Sequence, residues 1–402
     1  MKTYPLKSPA QHNAAQNPAV LARFPALRKR LSEATAAASA PAALSLGADL
    51  ERGGACLAAQ IGYGAPLALG LLTRAEGTAL VRELAAGGHR VAVSVEACGF
   101  GWEWQRELRG AGAEVVTLAP EPLCGKRKTN RRDAAALARV AAERVLHGNA
   151  QAGRAVREPA RAEQERRTVA RHRAQMVAIR GKLEAQGRGL LLDFGRTDFP
   201  DCWWGKKMWP RLCALLTEAR EPWLLEILTP LRELAQSVHA RVLALDAELE
   251  KLAETVLTQP LPAGLGALTG MVLNVEVMDW TRFQNRKQAG SYIGCCPIEM
   301  STGEGQRLGG IDRMGNRRLR SALTEAVWRM KRWEPGWRGF GKWGSIINDK
   351  LAGSVRKKKA VIACVRLLFI DLWRLHTGRA TLTELGFKGA SSPQGMEEPA
   401  AA

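Results

Sequence analysis

Residues 44–61, Leu-Ser-Leu-Gly-Ala-Asp-Leu-Glu-Arg-Gly-Gly-Ala-Cys-Leu-Ala-Ala-Gln-Ile, read as a strand, a turn and a second strand. Working outward, Leu67–Thr73 reads as a further strand and Ala75–Ala86 as a helix ended by Gly87-Gly88. Arg90–Ala97 alternates, with Val91, Val93 and Val95 on one face, and reads as a strand. Trp102–Gly110 follows as a helix, Glu114–Ala119 as a strand and Asn130–Leu146 as a helix. Strands in series followed by strand–helix alternation predict a mixed sheet flanked by helices over residues 44–150. An RNase H-like fold has this layout, as do several other α/β folds.

Four polar residues stand at the ends of these elements. Asp49 lies at or near a strand end and Glu96 closes an apolar strand before Ala-Cys-Gly. Asn130 and Asp133 sit at the mouth of a helix. Acids at strand ends plus one on a helix are how a nuclease fold gathers oxygen ligands for Mg²⁺. Each residue also has a structural reading: Asp49 a turn, Glu96 a buried salt bridge, Asn130 and Asp133 the cap and first-turn acid of their helix. The run Lys126, Arg127, Lys128, Arg131 and Arg132 around the last pair favours a phosphate backbone nearby. Far downstream, Ser301 in Glu-Met-Ser-Thr-Gly-Glu-Gly-Gln-Arg is either a plain turn residue or a nucleophile. No histidine follows closely to act as its base. Arg307, Arg313, Arg317, Arg318 and Arg320 are instead placed to neutralise a scissile phosphate.

Charge points the same way. Lysine and arginine number 59 against 39 acids, a formal net charge of +20, which favours a polyanionic partner. The eight cysteines make no Cys-x-x-Cys pair and no zinc spacing, so they read as reduced thiols of a cytosolic protein. No stretch is long and apolar enough to predict a membrane span, and the first residues lack a signal-peptide core. Residues 1–43 read as a mobile arm with a short helix near Leu27–Ala38. Residues 155–258 change character: Ala160–Gln186 is a basic helix. A second long helix is expected from near Pro230, with Leu231, Leu234, Val238, Val242, Leu245, Leu249, Leu252 and Val256 as a heptad-like seam. Packing within one chain and a dimer contact remain open for that seam. Residues 259–380 form a third, mostly helical unit: a helix around Leu268–Val277, a Gly-rich segment at Gly294–Gly310, a basic helix Asn316–Trp333 and a last helix Val355–Leu375 opening with Arg356, Lys357, Lys358 and Lys359. Trp333, Trp337, Phe340 and Trp343 alternate with cations in an expected loop at Lys331–Lys342; base stacking and core anchoring are both open there, as they are for Trp203, Trp204 and Trp209. Residues 381–402 are expected to be disordered.

In this order the strings resemble the transposases of the insertion sequence one-ten family, including its eleven-eleven branch. The matching pieces are Gly-x-Asp49, Glu96-Ala-x-Gly and Lys-Thr-x-Arg-Arg-Asp133-Ala in the N-terminal part. Further on come Glu276 with Asp279, Arg282-Phe283, Tyr292-x-Gly294-x-x-Pro297, Ser301-Thr-Gly303, Gly310-Ile311, Gly315-Asn316-Arg-x-Leu319-Arg320 and Lys358-Lys-Ala-Val. The resemblance implies a RuvC-like (RNase H-like) domain of the DEDD type, a coiled-coil region and a C-terminal transposase domain. It implies Mg²⁺ on Asp49, Glu96, Asn130 and Asp133, and Ser301 as a nucleophile that becomes covalently linked to DNA. It implies double-stranded DNA (element ends and target), a non-coding bridge RNA and a homo-oligomer (dimer or tetramer) as partners, in the cytoplasm and at the nucleoid. The chain departs from the family where Asn130 replaces the third acid, which removes one negative charge from the ligand set. Two rivals follow: a RuvC-like nuclease that uses water, and a decayed transposase that only binds nucleic acid.

Overall fold

A computed structural model describes residues 19–120, 129–197, 202–300, 305, 307–388 and 390–391. The chain divides into two compact units, residues 1–159 and 160–402.

The first unit is an α/β layer structure. A 3-10 turn at Val20–Arg23 leads into α1 (Pro25–Ala38). Then come β1 (Ala43–Leu50), β2 (Gly54–Ile61), β3 (Leu67–Thr73), α2 (Arg74–Ala86), β4 (Arg90–Glu96), α3 (Trp102–Gly110), β5 (Ala113–Leu118) and α4 (Asn130–Ala141), extended by a π-helical turn at Ala142–Leu146. Among the described residues the strands form one sheet in the order β3-β2-β1-β4-β5, with β1–β2 and β2–β3 antiparallel and β1–β4 and β4–β5 parallel. The expected elements are therefore present nearly residue for residue. Their two faces differ. Leu44, Leu46 and Ala48 of β1 join Leu57, Leu80, Leu84, Val91, Val93 and Trp104 in the larger core. The alternate residues Ser45, Gly47 and Asp49 face α4.

The short helix expected near Leu27–Ala38 is present as α1, and from Val20 onward the segment expected as an arm is packed on the sheet, with Val20, Leu27 and Leu31 buried in its core. The Glu83 carboxylate also accepts hydrogen bonds from the Val20 and Leu21 amides at 2.7 and 2.8 Å, satisfying the orphan donors of that turn.

The second unit is mostly helical. It contains α5 (Arg161–Asp193), α6 (Met208–Glu218), α7 (Pro222–Val256), β6 (Leu261–Pro262), α8 (Ala267–Val277), α9 (Arg286–Tyr292), β7 (Pro297–Glu299), β8 (Leu308–Ile311), α10 (Arg317–Trp333), α11 (Arg338–Asn348), α12 (Ser354–His376) and β9 (Ala390–Ser391). Helices α5 and α7 pack on each other within the chain and run antiparallel: Arg173 forks onto Asp246 at 2.6 and 3.3 Å, while Arg180, further along α5, meets His239, earlier on α7, at 3.1 Å. Helix α7 begins eight residues before the position read from sequence. Pro222 occupies its first turn, where the missing N–H costs nothing, and Pro230 is inside the helix. The buried seam of α7 also shifts. Ala235 and Ala253 are buried with Val242, Leu245 and Leu249, whereas Leu234 is 55% exposed.

The aromatic loop expected at Lys331–Lys342 is mostly helix. Trp337 and Phe340 are core residues, and the Trp337 indole donates to the buried Asp371 carboxylate at 3.0 Å. Trp203 and Trp204 are likewise buried, their indoles donating to the Glu184 carbonyl and carboxylate at 3.0 and 3.2 Å. Core anchoring, not base stacking, accounts for these four rings. Among the described residues no helix is long and apolar enough to cross a membrane.

Leu245→Ala is expected to lower stability by about 3 kcal/mol, the usual cost of a buried leucine truncation, whereas Leu234→Ala should stay within about 0.5 kcal/mol. Urea unfolding of both variants distinguishes the observed seam from the one read off the heptads.

Candidate nucleic-acid-processing site

Strand register and a glycine set Asp49 and Glu96 at neighbouring strand ends. The last aligned pair of the parallel β1–β4 ladder is Ala48 with Val95, so Asp49 and Glu96 follow side by side at the ends of neighbouring strands. A Cβ at Gly47 would lie 2.0 Å from the Ala134 carbonyl oxygen and 2.2 Å from the Ala138 nitrogen, so the α4 backbone rests directly on β1. On β4, buried Ser94 donates to the Leu137 carbonyl at 2.6 Å. Asp49 is two residues beyond Gly47 and Glu96 two beyond Ser94, so both acids share the face that α4 covers.

Helix α4 supplies the other pair. Thr129 is its cap, accepting from the Arg132 amide at 3.3 Å, and Asp133 lies in the first turn. The cap is thus one residue earlier than the sequence suggests, which leaves the Asn130 amide available for a contact. That contact is Glu51, whose carboxylate accepts from Asn130 Nδ2. Glu51 was not singled out from sequence, although its i+2 spacing from Asp49 carries the signal. Its charge stands beside the position where an acid is missing, and it fixes which edge of the Asn130 amide presents the oxygen.

Asp49 pairs across the ladder with Cys56. Burial first, then the charges of Asp49 and Glu51, hold the Cys56 thiol above its ordinary value, against a smaller opposing pull from Arg131. Cys56 is therefore a neutral wall of the site. Among the described residues no three His, Cys, Asp or Glu side chains are gathered as a metal-binding group. Carboxylates and an amide oxygen are the donor types that a hard divalent cation takes. Arg131 and Arg132 are exposed at the helix mouth. Lys126, Arg127 and Lys128 lie outside the described residues.

In the second unit several of the strings that carry the resemblance meet at one structural joint. Glu276 of α8 is 3% exposed and receives a two-pronged Arg171 guanidinium at 2.9 and 3.1 Å. Asn316 Nδ2 donates to the same carboxylate at 2.9 Å, while its Oδ1 caps α10 by accepting from the Arg318 and Leu319 amides at 3.0 and 3.2 Å. The Tyr292 hydroxyl donates to the Glu276 carbonyl at 2.7 Å, and the Asn316 amide to the Tyr292 carbonyl at 2.7 Å. Gly294, at φ +64°, and Gly315 approach so closely that a Cβ on Gly315 would lie 2.1 Å from the Gly294 nitrogen. Arg320 donates to the Ile293 carbonyl at 2.7 Å. This joint holds the foot of the β7–β8 hairpin, in which Pro297 pairs with Ile311 and the Met300 amide donates to the Arg307 carbonyl at 2.8 Å.

Ser301 follows Met300 and lies outside the described residues. Arg307, Arg313, Arg317 and Arg318 are exposed around that hairpin and the start of α10. Arg356, Lys358 and Lys359 are exposed on the first turns of α12, with Lys357 half-buried. Arg320 is engaged in the joint rather than presented outward.

Residues 262–342, which run from the end of β6 into the first half of α11, match the family described as Transposase IS116/IS110/IS902 family. The chain is 29% identical over 266 residues to a Sinorhizobium fredii protein named as transposase y4qE, covering 62% of this chain and 60% of that one. It is 29% identical over 248 residues to a family 20 transposase of Pseudomonas aeruginosa, covering 58% and 70%. It is 26% identical over 242 residues to the transposase for insertion sequence element IS1111A of Coxiella burnetii, covering 58% and 64%. The chain is thus similar to transposases of the IS110/IS116/IS902 kind, and the match spans 60% of the length of y4qE.

Burial raises the Glu276 carboxyl, but the hydrogen bonds from Arg171 and Asn316 and the charges of Arg171 and Arg167 outweigh it, so its net value is below the ordinary carboxylate range. A depressed carboxyl contributes stability above its unfolded value, near pH ~4.3, and that contribution is lost as pH falls through the folded value. Glu276→Gln should cost about 3 kcal/mol at pH 7, since it leaves Arg171 uncompensated. Thermal melts should show the gap to wild type closing below about pH 4. A gap that does not change with pH would show that Glu276 carries no such linkage.

Proposed function

We propose that the chain is a DNA transposase: a site-specific recombinase that excises and inserts a mobile element using RuvC-like acids and a serine. The observation that carries this reading is the joint of Glu276, Tyr292, Gly294, Gly315 and Asn316. It lies within or beside the segment similar to transposases and builds the foot of the hairpin leading to Ser301. The mixed sheet, with its early strands in series and α4 laid on β1, supports an RNase H-like N-terminal domain. The antiparallel α5–α7 pair supports a coiled-coil region.

In this mechanism Asp49, Glu96, Asp133 and the Asn130 amide oxygen would hold Mg²⁺, with Glu51 orienting Asn130 and restoring one negative charge. A bound divalent cation would supply Lewis-acid polarisation of a phosphodiester. Ser301 attacks phosphorus through its hydroxyl oxygen. Its proton passes to solvent, one ester bond breaks, and the departing alcohol takes up a proton. The resulting phosphoserine ester keeps the bond energy, so strand transfer to a second hydroxyl needs no ATP. Arg307, Arg313, Arg317 and Arg318 neutralise the charge that builds on phosphorus. The exposed cations of α12 bind the duplex backbone. A bridge RNA and a dimer or tetramer of this chain, in the cytoplasm and at the nucleoid, belong to the same proposal. The position of Asn130 favours one rival, a binder without catalysis; its contact with Glu51 argues against decay, because it keeps a carboxylate at the site.

Asp49→Ala or Glu96→Ala should abolish recombination between plasmids bearing the element's ends and a target, while duplex binding falls less than about threefold. Normal recombination by either variant would contradict the acid site. Asn130→Asp should keep or raise the junction yield; a variant that alone turns a silent protein active would establish the decayed-binder reading.

A further inference from the structure

The end of the sheet opposite the acids carries a second surface that the recombination chemistry does not use. From Ala43 to Asp49 the β1 strand runs about 20 Å, so this end is remote from the acid face. Tyr63, in the turn after β2, is 79% exposed and stacks on exposed His147 with ring centroids 4.0 Å apart and planes within 7°. Two arginines tie down the segments that bear these rings. Arg30 of α1 donates to the Ala65 carbonyl at 2.8 Å, and Arg90 donates to the Val145 carbonyl at 3.2 Å while also pairing with Glu114.

At the same end of the sheet, on its α1–α2 side, a shallow groove of about 770 Å³ lies between α1 and the turn after α2. Its floor includes Leu21, Pro25 and Leu31, and its rim carries Arg28, Lys29, Ser32 and His89. His89 Nδ1 accepts from the Ala42 amide at 3.1 Å, so the ring's proton is on Nε2, a donor. Of the nearby acids, Glu83 is committed to the Val20 and Leu21 amides, and Glu33 stands 3.9 Å from Lys29. Platform and groove are joined at the start of β1. The Ala43 carbonyl accepts from Gly62, just before Tyr63, and the Ala42 carbonyl from Arg90, just after His89.

We propose that this end of the first unit binds an unpaired nucleic-acid strand, with a base stacked on the Tyr63–His147 pair and a further stretch of its phosphate chain, across the start of β1, in the Arg28–Lys29–His89 groove. An exposed aromatic face offers stacking to any base, and a cationic rim over an apolar floor suits a sugar–phosphate chain. A duplex, whose bases are already stacked, gains nothing from the platform. The inference goes beyond the recombinase reading and stands or falls separately from it.

The test measures binding of a short oligouridylate, the matching oligothymidylate and a duplex to the full chain by fluorescence anisotropy. Tyr63→Ala with His147→Ala should weaken both single strands about tenfold, with duplex binding and melting temperature unchanged, and Tyr63→Trp should retain affinity. Arg28→Ala with Lys29→Ala should weaken single-strand binding and flatten its salt dependence. A larger loss for the uridylate assigns the strand to RNA, and equal losses assign it to either. Wild-type affinity for both single strands in both double variants would overturn the proposal and leave this face to a protein partner. Loss of duplex binding by the wild-type chain would count against the transposase reading alone.

Discussion

The first unit depends on a backbone-to-backbone contact. Helix α4 can lie on β1 only because Gly47 has no side chain; a Cβ there would overlap the Ala134 carbonyl. That contact holds α4 against β1, and the first turn of α4 meets the chain just beyond Asp49 through the hydrogen bond from Asn130 to Glu51. The second unit repeats the device. Gly294 and Gly315 touch through their backbones, and the hairpin foot is built on that approach. In both places a glycine places polar groups that a bulkier residue would hold apart.

Around these contacts the polar groups are paired where they are buried. Glu276 with Arg171 and Asn316, Asp371 with Arg338 and Trp337, and Ser94 with Leu137 each satisfy a group that would otherwise be costly inside. The arginines used in this way are part of the fold. They should be separated from the exposed cations of α10 and α12 when the charge of +20 is interpreted as nucleic-acid affinity. Arg320 shows why: its position in a basic helix suggests phosphate binding, but its guanidinium is hydrogen-bonded to the Ile293 carbonyl.

Much of the first unit was legible because its strands alternate and its helices end at glycines. Val91, Val93 and Val95 fixed the face of β4, and Gly87-Gly88 ended α2. The acid residues were legible as strand-end residues, but their sharing a face with α4 was not, since that depends on the Gly47 contact across 87 residues of chain to Ala134. Glu51 was missed because an acid in a turn is ordinarily just solvated. In the second unit, Pro230 misled because proline usually marks a helix start, and Leu234 because a leucine at heptad spacing is usually in the seam. Packing against α5 selects Ala235 instead. For Trp203, Trp204 and Trp337 the sequence left stacking and anchoring open, because basic neighbours suit either, and the structure decides for anchoring: their indole N–H groups find Asp371 and Glu184 inside.

The central claim is covalent chemistry at Ser301, and the most direct measurement is trapping. Labelled DNA carrying an element end is incubated with the chain and Mg²⁺, the reaction is stopped with denaturant, and the label is followed on a denaturing gel. The account predicts a protein–DNA adduct whose cross-linked peptide contains Ser301 and which Ser301→Ala does not form. DNA cleavage without an adduct, or an adduct that survives Ser301→Ala, would contradict it.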